Sequence, residues 1–229
     1  MVAHRFFITG TDTDVGKTLV ATALVVAANK RGLSTLAVKP VAAGCEQTED
    51  GLRNEDALLL QQTMSLPLSY EQVNPVALAP AIAPHIAAEQ MGKRLRVSQL
   101  AGYCRGTLMQ RADFAVVEGA GGWRVPLNHR ETLADLAQEL QLPVILVVGV
   151  KLGCINHALL TAEAIAADGL TLVGWVANQL DEAMPCYEEN LLTLNSLIRA
   201  PCLGVIPRLL APNAINAAGY LNLDLVISS

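Results

Sequence analysis

The chain predicts a doubly wound α/β fold, a mainly parallel sheet of about seven strands with helices on both faces. Three observations lead there. Short apolar runs rich in Val, Ile and Leu alternate with helical segments, and the connections between them are far too long for hairpins. The first strand-to-helix turn, Gly10-Thr11-Asp12-Thr13-Asp14-Val15-Gly16-Lys17-Thr18, has the composition of a phosphate cradle. Finally, 229 residues that are 52% hydrophobic but only 4% aromatic describe a large core of Ala, Leu and Val, which one domain over 1–229 can hold.

Arg5 to Thr9 has the aromatic and β-branched content of a buried strand, and from Lys17 onward Leu19, Ala23, Val26 and Ala27 recur at helical spacing. A helix that starts at a glycine-rich turn points unpaired backbone N–H groups and its positive dipole end into the loop, which suits an anion. Gly16 lets the backbone approach phosphate, Lys17 supplies a point charge for the outer phosphates, and the Thr18 hydroxyl is placed to ligate magnesium. Five residues separate Gly10 from Gly16 where the usual motif has four, and Thr11 stands where a glycine is common.

The helix ends at Asn29-Lys30-Arg31, with Gly32 as a left-handed cap. Ser34 to Val38 forms a second strand that finishes at Lys39-Pro40. Strand carboxyl ends face the ligand crevice in such sheets, so Lys39 stands beside the phosphate loop if the two strands are neighbours; otherwise it is a solvated lysine where a strand runs out. Ala42 to Arg53 reads as a loop. Asn54 caps a helix beginning Glu55-Asp56, where Asp56 is by position a dipole complement and needs outside support to count as a metal ligand. The segment from Ser65 to Pro84 carries Pro67, Pro75, Pro80 and Pro84 and cannot be one regular element. Its apolar Val73, Val76, Leu78 and Ile82 predict a folded excursion packed on the main body. Val97 to Arg111 shows a helical stripe of Leu100, Tyr103, Cys104 and Leu108.

Phe114 to Glu118 delivers one carboxylate at the end of an apolar strand, and Gly119-Ala120-Gly121-Gly122 lets the chain pass close to a ligand. In a nucleotide-binding fold such an acid orients magnesium or its bound water, with Thr18 as its partner. Leu133 to Leu140 is a short helix, and Pro143 to Gly149 is a strand buried on both faces. Gly153-Cys154-Ile155-Asn156 opens a further helix, whose exposed N–H groups could hold a carboxylate as any helix start can. Leu172 to Ala177 is a strand ending at Asn178, which reads either as a turn former or as a reader of a purine edge. Leu191 to Ile198 is helical, Cys202 to Ile206 is a strand ending at Pro207, and Tyr220 to Ile227 is a short apolar run in the tail.

A net charge of −5, with no cluster of Lys or Arg, argues against a nucleic-acid surface. The five cysteines, Cys45, Cys104, Cys154, Cys186 and Cys202, are odd in number and lack a C-x-x-C pair, which fits reduced thiols. The N-terminus passes at once into the first strand, and no apolar run reaches the ~20 residues needed to span a bilayer. The expectation is a soluble, cytoplasmic chain with no membrane partner.

Lys39-Pro40-Val41, Arg53-Asn54-Glu55-Asp56-Ala57, Pro84-His85-Ile86, Val117-Glu118-Gly119-Ala120-Gly121-Gly122 and Gly153-Cys154-Ile155-Asn156-His157, together with the phosphate loop, carry a resemblance. The chain resembles the bacterial dethiobiotin synthetases nearly end to end, and Gly-Thr-Asp-Thr-x-Val-Gly-Lys-Thr is that family's own form of the phosphate motif. The resemblance implies an enzyme of biotin synthesis that joins carbon dioxide to 7,8-diaminopelargonic acid using ATP and Mg2+. The ureido ring closes through a carbamate and a carbamic-phosphoric anhydride, releasing ADP and phosphate. It implies that Thr18, Asp56 and Glu118 hold magnesium, and that Asp14, Val15, Gly16, Lys17 and Thr18 hold the phosphates, with Gly119, Ala120 and Gly121 beside the nucleotide. Lys39 would lie between the γ-phosphate and the carbamate with Lys17 nearer the phosphate, Thr13 would touch the diamine, and Asn178 and Pro207 would hold the adenine. It further implies a homodimer in which Gly153, Cys154, Ile155 and Asn156, lent by the other subunit, seat the distal carboxylate.

Two positions depart from the family pattern: Ala43 replaces a common Ser or Thr near the substrate, and Ala214 replaces an acidic ribose contact. Either could weaken binding, or mark a paralogue acting on a related diamine. A rival of another class shares the fold, the partition and division-site switch ATPases. Those chains carry a lysine where this one has Asp12, and commonly end in a basic amphipathic helix, whereas Leu221 to Ser229 has no basic residue. A glutamine-dependent amidoligase would need a second domain for which no residues remain.

Overall fold

A computed structural model describes residues 4–227. The ends of the expected 1–229 domain, and the last two residues of the Leu221 to Ser229 tail, lie outside the described residues. β1 (His4–Gly10) leads through the phosphate loop into α1 (Lys17–Lys30), and β2 (Thr35–Val38) follows. Then come β3 (Val41–Ala43), β4 (Glu46–Thr48), β5 (Gly51–Arg53), α2 (Glu55–Thr63), α3 (Tyr70–Val73), β6 (Val76–Leu78), α4 (Pro84–Gln90) and α5 (Val97–Leu108). The rest alternates strictly: β7 (Phe114–Gly122), α6 (Leu133–Leu140), β8 (Val144–Val150), α7 (Cys154–Ala167), β9 (Leu172–Gln179), α8 (Tyr187–Leu197), β10 (Cys202–Ile206) and α9 (Ala214–Ala218).

Among the described residues six strands form the main sheet in the order β10-β9-β8-β1-β7-β2, and every pairing in it is parallel. The doubly wound class is the one expected, but the count is six and not about seven. The apolar run in the tail forms one isolated bridge from Leu221 to Gly204 and then a 3-10 turn over Leu223–Leu225, capped by Asn222 through Asp224 N–H. Gly204 makes that crossing possible, because a Cβ there would sit 2.0 Å from the Tyr220 carbonyl oxygen.

The pleat divides the interior. All seven residues of β8 are buried. Ile145 and Val147 join a core with Val20, Leu24 and the β1 aromatics, while Leu146, Val148 and Val150 pack with Cys154, Ala158 and Leu194 of α7 and α8. Period-two alternation thus feeds two apolar layers, as a sheet covered on both faces requires. From β1 the connections run one way to β7 and β2 and the other way to β8, β9 and β10, and the crevice of such sheets opens at the carboxyl ends where that order reverses.

The stretch expected as a loop, Ala42 to Arg53, is mostly short strands: β3 pairs with β6 in parallel, and β4 with β5 as a hairpin. The partner of β3 lies within the proline-bearing segment more than thirty residues on, so nothing local announces it. That segment is indeed a folded excursion. Ser69 and Gln72 form a capping box at α3, and Tyr70, Val73 and Leu78 are buried. Among the described residues no helix is long and apolar enough to cross a membrane.

Candidate active site

The phosphate loop connects the carboxyl end of β1 to α1. Gly16 is left-handed at φ 88° and Asp14 at φ 56°, so the chain turns sharply on either side of Val15. Val15 is fully buried; a Cβ on Gly10 would lie 2.6 Å from one of its methyls, and a Cβ on Gly149 would lie 2.7 Å from the other. Two glycines therefore make the socket into which Val15 fits. The Lys17 ammonium donates to the Asp12 carbonyl at 2.9 Å. Burial, with the Lys39 ammonium beside it, pushes the Lys17 pKa down to about 8.

Beside the loop lies a cluster of charges drawn from distant elements. The Lys39 ammonium donates to Asp56 Oδ2 at 2.8 Å and to Glu118 Oε1 at 2.5 Å, and the Thr18 hydroxyl donates to the same Glu118 oxygen at 2.7 Å. Lys39 and Glu118 are almost completely buried. Burial opposes the charge on Lys39, but Glu118 and Asp56 prevail and hold its pKa above the ordinary lysine value. Burial would likewise raise Asp56, but Lys39 and the Thr18 hydroxyl hold it below the usual carboxylate range.

The excursion fixes this cluster in place. Asn74, itself buried, donates to the Lys39 carbonyl at 2.7 Å and accepts from the Tyr70 hydroxyl at 3.1 Å, while the Tyr70 oxygen accepts from Asn54 N–H at 2.7 Å. Asn54 caps α2, on which Asp56 lies. One relay thus joins the backbone of Lys39 to the helix that carries its partner.

A cleft of about 790 Å³ opens over these groups. Its lining combines Thr13, Asp14, Gly16, Lys17, Thr18, Lys39, Asn54 and Asp56 with apolar residues that include Ala42, Ala43, Ile82, Val125 and Pro126. A hard-oxygen set of two carboxylates and one hydroxyl suits magnesium. Glu118 Oε2 is buried with no hydrogen-bond partner, so the site has an oxygen to offer a cation. No group of three His, Cys, Asp or Glu side chains fit for a metal occurs among the described residues.

The family model described as "AAA domain" matches residues 4–214. A protein of Cellvibrio japonicus described as "ATP-dependent dethiobiotin synthetase BioD" is 67% identical over 97% of this chain and 97% of its own length. The chain belongs to the dethiobiotin synthetase family. A relative from Pseudomonas aeruginosa with the same description is 60% identical over 95% of this chain and 96% of its own. Among solved structures, the septum site-determining protein MinD of Pyrococcus horikoshii, complexed with Mg-ADP, matches with a TM-score of 0.56 at 16% identity, covering 98% of this chain and 90% of that one. The receptor FtsY of Elizabethkingia anophelis, in complex with GDP, matches at 0.58 and 14%, covering 100% and 65%. At those identities the likeness is one of fold.

Of the residues that the dethiobiotin synthetase resemblance singles out, Thr13, Asp14, Gly16, Lys17, Thr18, Lys39, Asp56, Ala120 and Gly121 line the cleft together. Glu118 lies buried beneath it, bound to Lys39 and Thr18. Gly119 is turned toward β1, where a Cβ would press on Phe7 and the Ile8 carbonyl, and does not line the cleft. Asn178 donates to the Val15 carbonyl at 2.9 Å, and Pro207 follows Ile206, the register partner of Asn178 on β10. Gly153, Cys154, Ile155 and Asn156 open α7 away from the cleft lining, and Ala214 begins α9 behind the Asn213 cap. The sequence reading missed Asn74 and Tyr70, as well as Val125 and Pro126. Its one available signal for the first pair was a buried-looking polar pair inside an apolar excursion.

Proposed function

We propose that this chain is an ATP-dependent dethiobiotin synthetase, closing the ureido ring on 7,8-diaminopelargonic acid with carbon dioxide. The observation that carries this reading is the cleft itself. A phosphate loop and a second, buried lysine line one cleft together with apolar side chains such as Ile82, Val125 and Pro126, as expected for a site that brings ATP to a charged group on an alkyl chain. Near full-length identity to proteins of that description supports it.

The amine and carbon dioxide first form a carbamate, the amine nitrogen giving up a proton as the carbon–nitrogen bond forms. A carbamate oxygen then attacks the γ-phosphorus, the bond to the β-bridging oxygen breaks, and ADP leaves. The second amine attacks the carbamoyl carbon, the carbon–oxygen bond to phosphate breaks, and the amine gives up a proton. Carbamate and γ-phosphate are both anionic, so cations must lie between them. Lys39 supports the carbamate side and Lys17 the phosphate side, with Thr13 at the diamine. Asp14, Val15, Gly16, Lys17 and Thr18 hold phosphates through backbone and side chain, beside Ala120 and Gly121, with Gly119 behind them against β1. Asn178 and Pro207 border the adenine. Magnesium would be held by Thr18, Asp56 and Glu118, where it would screen charge on the transferring phosphoryl group.

The reading includes a cytoplasmic homodimer that lends Gly153, Cys154, Ile155 and Asn156 across its interface. The exposed position of Gly153 and Asn156, outside their own chain's cleft, supports that assignment. The decisive assay is phosphate release from ATP with diaminopelargonic acid and bicarbonate, each omitted in turn. Release needing both supports the synthetase, release needing neither supports a switch ATPase, and release with a different diamine supports a paralogue, with Ala43 as the first suspect.

A further inference from the structure

We propose that Asn178 is a positioning residue for the phosphate loop, so that one amide at the end of β9 serves both the base and the phosphate side of the nucleotide. This rests on the ATP site proposed above. The amide lies 94% out of solvent, and its Nδ2 donates to the carbonyl of Val15, 163 residues away in the chain. It also fills the space over Gly16, since a Cβ at that glycine would fall 2.3 Å from Nδ2. Val15 is thereby held on three sides: its two methyls sit against Gly10 and Gly149, and its carbonyl is bound by Asn178. Gly149 is itself the register partner of Asn178 on β8, so the amide and the socket belong to one row of the sheet.

Gly16 and Lys17 follow Val15 directly, and their backbone N–H groups are the ones a phosphate meets at the start of α1. A carbonyl pinned at Val15 fixes the peptide plane that carries the Gly16 N–H. An amide has two N–H groups and an oxygen; one N–H spent on Val15 leaves the second, and the oxygen, for a purine edge. Loss of Asn178 therefore weakens the grip on phosphate even when no base is present.

The test is a ligand that has phosphates but no base. Magnesium tripolyphosphate is titrated by calorimetry into the parent, Asn178→Ala and Asn178→Asp; the aspartate keeps the shape but has no N–H for the Val15 carbonyl. Asn178→Ala is expected to bind it about five- to ten-fold more weakly, the scale of one net hydrogen bond, and Asn178→Asp more weakly still, because it sets an anion against the Val15 carbonyl. Amide hydrogen exchange without ligand should quicken at residues 15–18 in Asn178→Ala while β8 keeps its protection. Parental tripolyphosphate affinity in Asn178→Ala, or unchanged loop exchange, overturns the proposal, even if melting temperature falls. A parent that binds neither tripolyphosphate nor ATP overturns instead the ATP site on which it rests.

Discussion

At Val15 the phosphate loop is held by uncharged contacts, the side chain in its glycine socket and the carbonyl on Asn178, whereas Lys39, Asp56 and Glu118 are held largely by one another's charges. Both face one cleft, and the difference follows from what each must do. Apolar packing at van der Waals contact tolerates almost no displacement, so it suits a backbone that has to meet phosphate in one geometry. Buried charges are costly unless paired, and their partners can be exchanged for other charges of the same sign. A cluster in which Lys39 satisfies two carboxylates is therefore suited to receive ligand charge. The relay through Asn74 and Tyr70 keeps the cluster's backbone anchors fixed meanwhile.

The largest break in that contrast is Lys39→Met. Turnover at saturating substrates should fall at least about 100-fold, because electrostatic losses at a transferring group run to ~3 kcal/mol or more, with a far smaller change in ATP affinity. Calorimetry beside a phosphate-release assay measures both, and near-parental turnover would defeat the role given to Lys39.

Glu118→Gln removes one charge and retains the shape. It should lower turnover at limiting magnesium about 10- to 100-fold, with less effect on nucleotide affinity. A variant matching the parent across a magnesium titration would remove Glu118 from the metal set.

Tyr70→Phe sharpens the contrast by cutting the relay without touching the cleft. It leaves Asn54 N–H and Asn74 Oδ1 without their partner, so stability should drop by about 1–3 kcal/mol in a denaturant titration. Turnover should drop about ten-fold while ATP binding holds, as expected when the loop is anchored independently. Equal loss of ATP affinity would show that the two regions are not separable.

The smallest effect concerns protons at Lys17. Its pKa lies at about 8 in the ligand-free protein, below the 10.5 of an unperturbed lysine, chiefly through burial and next through Lys39. A bound phosphate restores the charge, so above pH 8 binding takes up a proton and affinity falls as pH rises, whereas below pH 8 this group adds no pH dependence. Stability without ligand should rise from pH 8 toward 10.5, since the unfolded chain then binds the proton that the folded one does not. Calorimetry at pH 9 in buffers of different ionisation enthalpy should report up to ~1 proton taken up per ATP. No uptake would mean that Lys17 is already charged.

Much was legible in the chain because it is written locally. The apolar runs from Phe6, Phe114, Val144 and Leu172 became central strands, and Gly16-Lys17-Thr18 opened α1 as its glycine and its helical spacing required. The dethiobiotin synthetase motifs likewise singled out Lys39, Asp56 and Glu118 by name. What the tertiary structure alone decided is which of these groups meet. Lys39 and Glu118 stand 79 residues apart, and become partners because β2 and β7 are neighbours with Val38 in register with Val117. The Asn178 contact with Val15 depends in the same way on β9 lying two strands from β1. The tail shows the converse: an apolar run became a 3-10 turn because Gly204 admits a crossing chain and Asn222 caps the turn. Residue pattern reports the burial and local geometry each segment prefers, but sheet order and register are set by the whole packed chain, and they determine which side chains share a site.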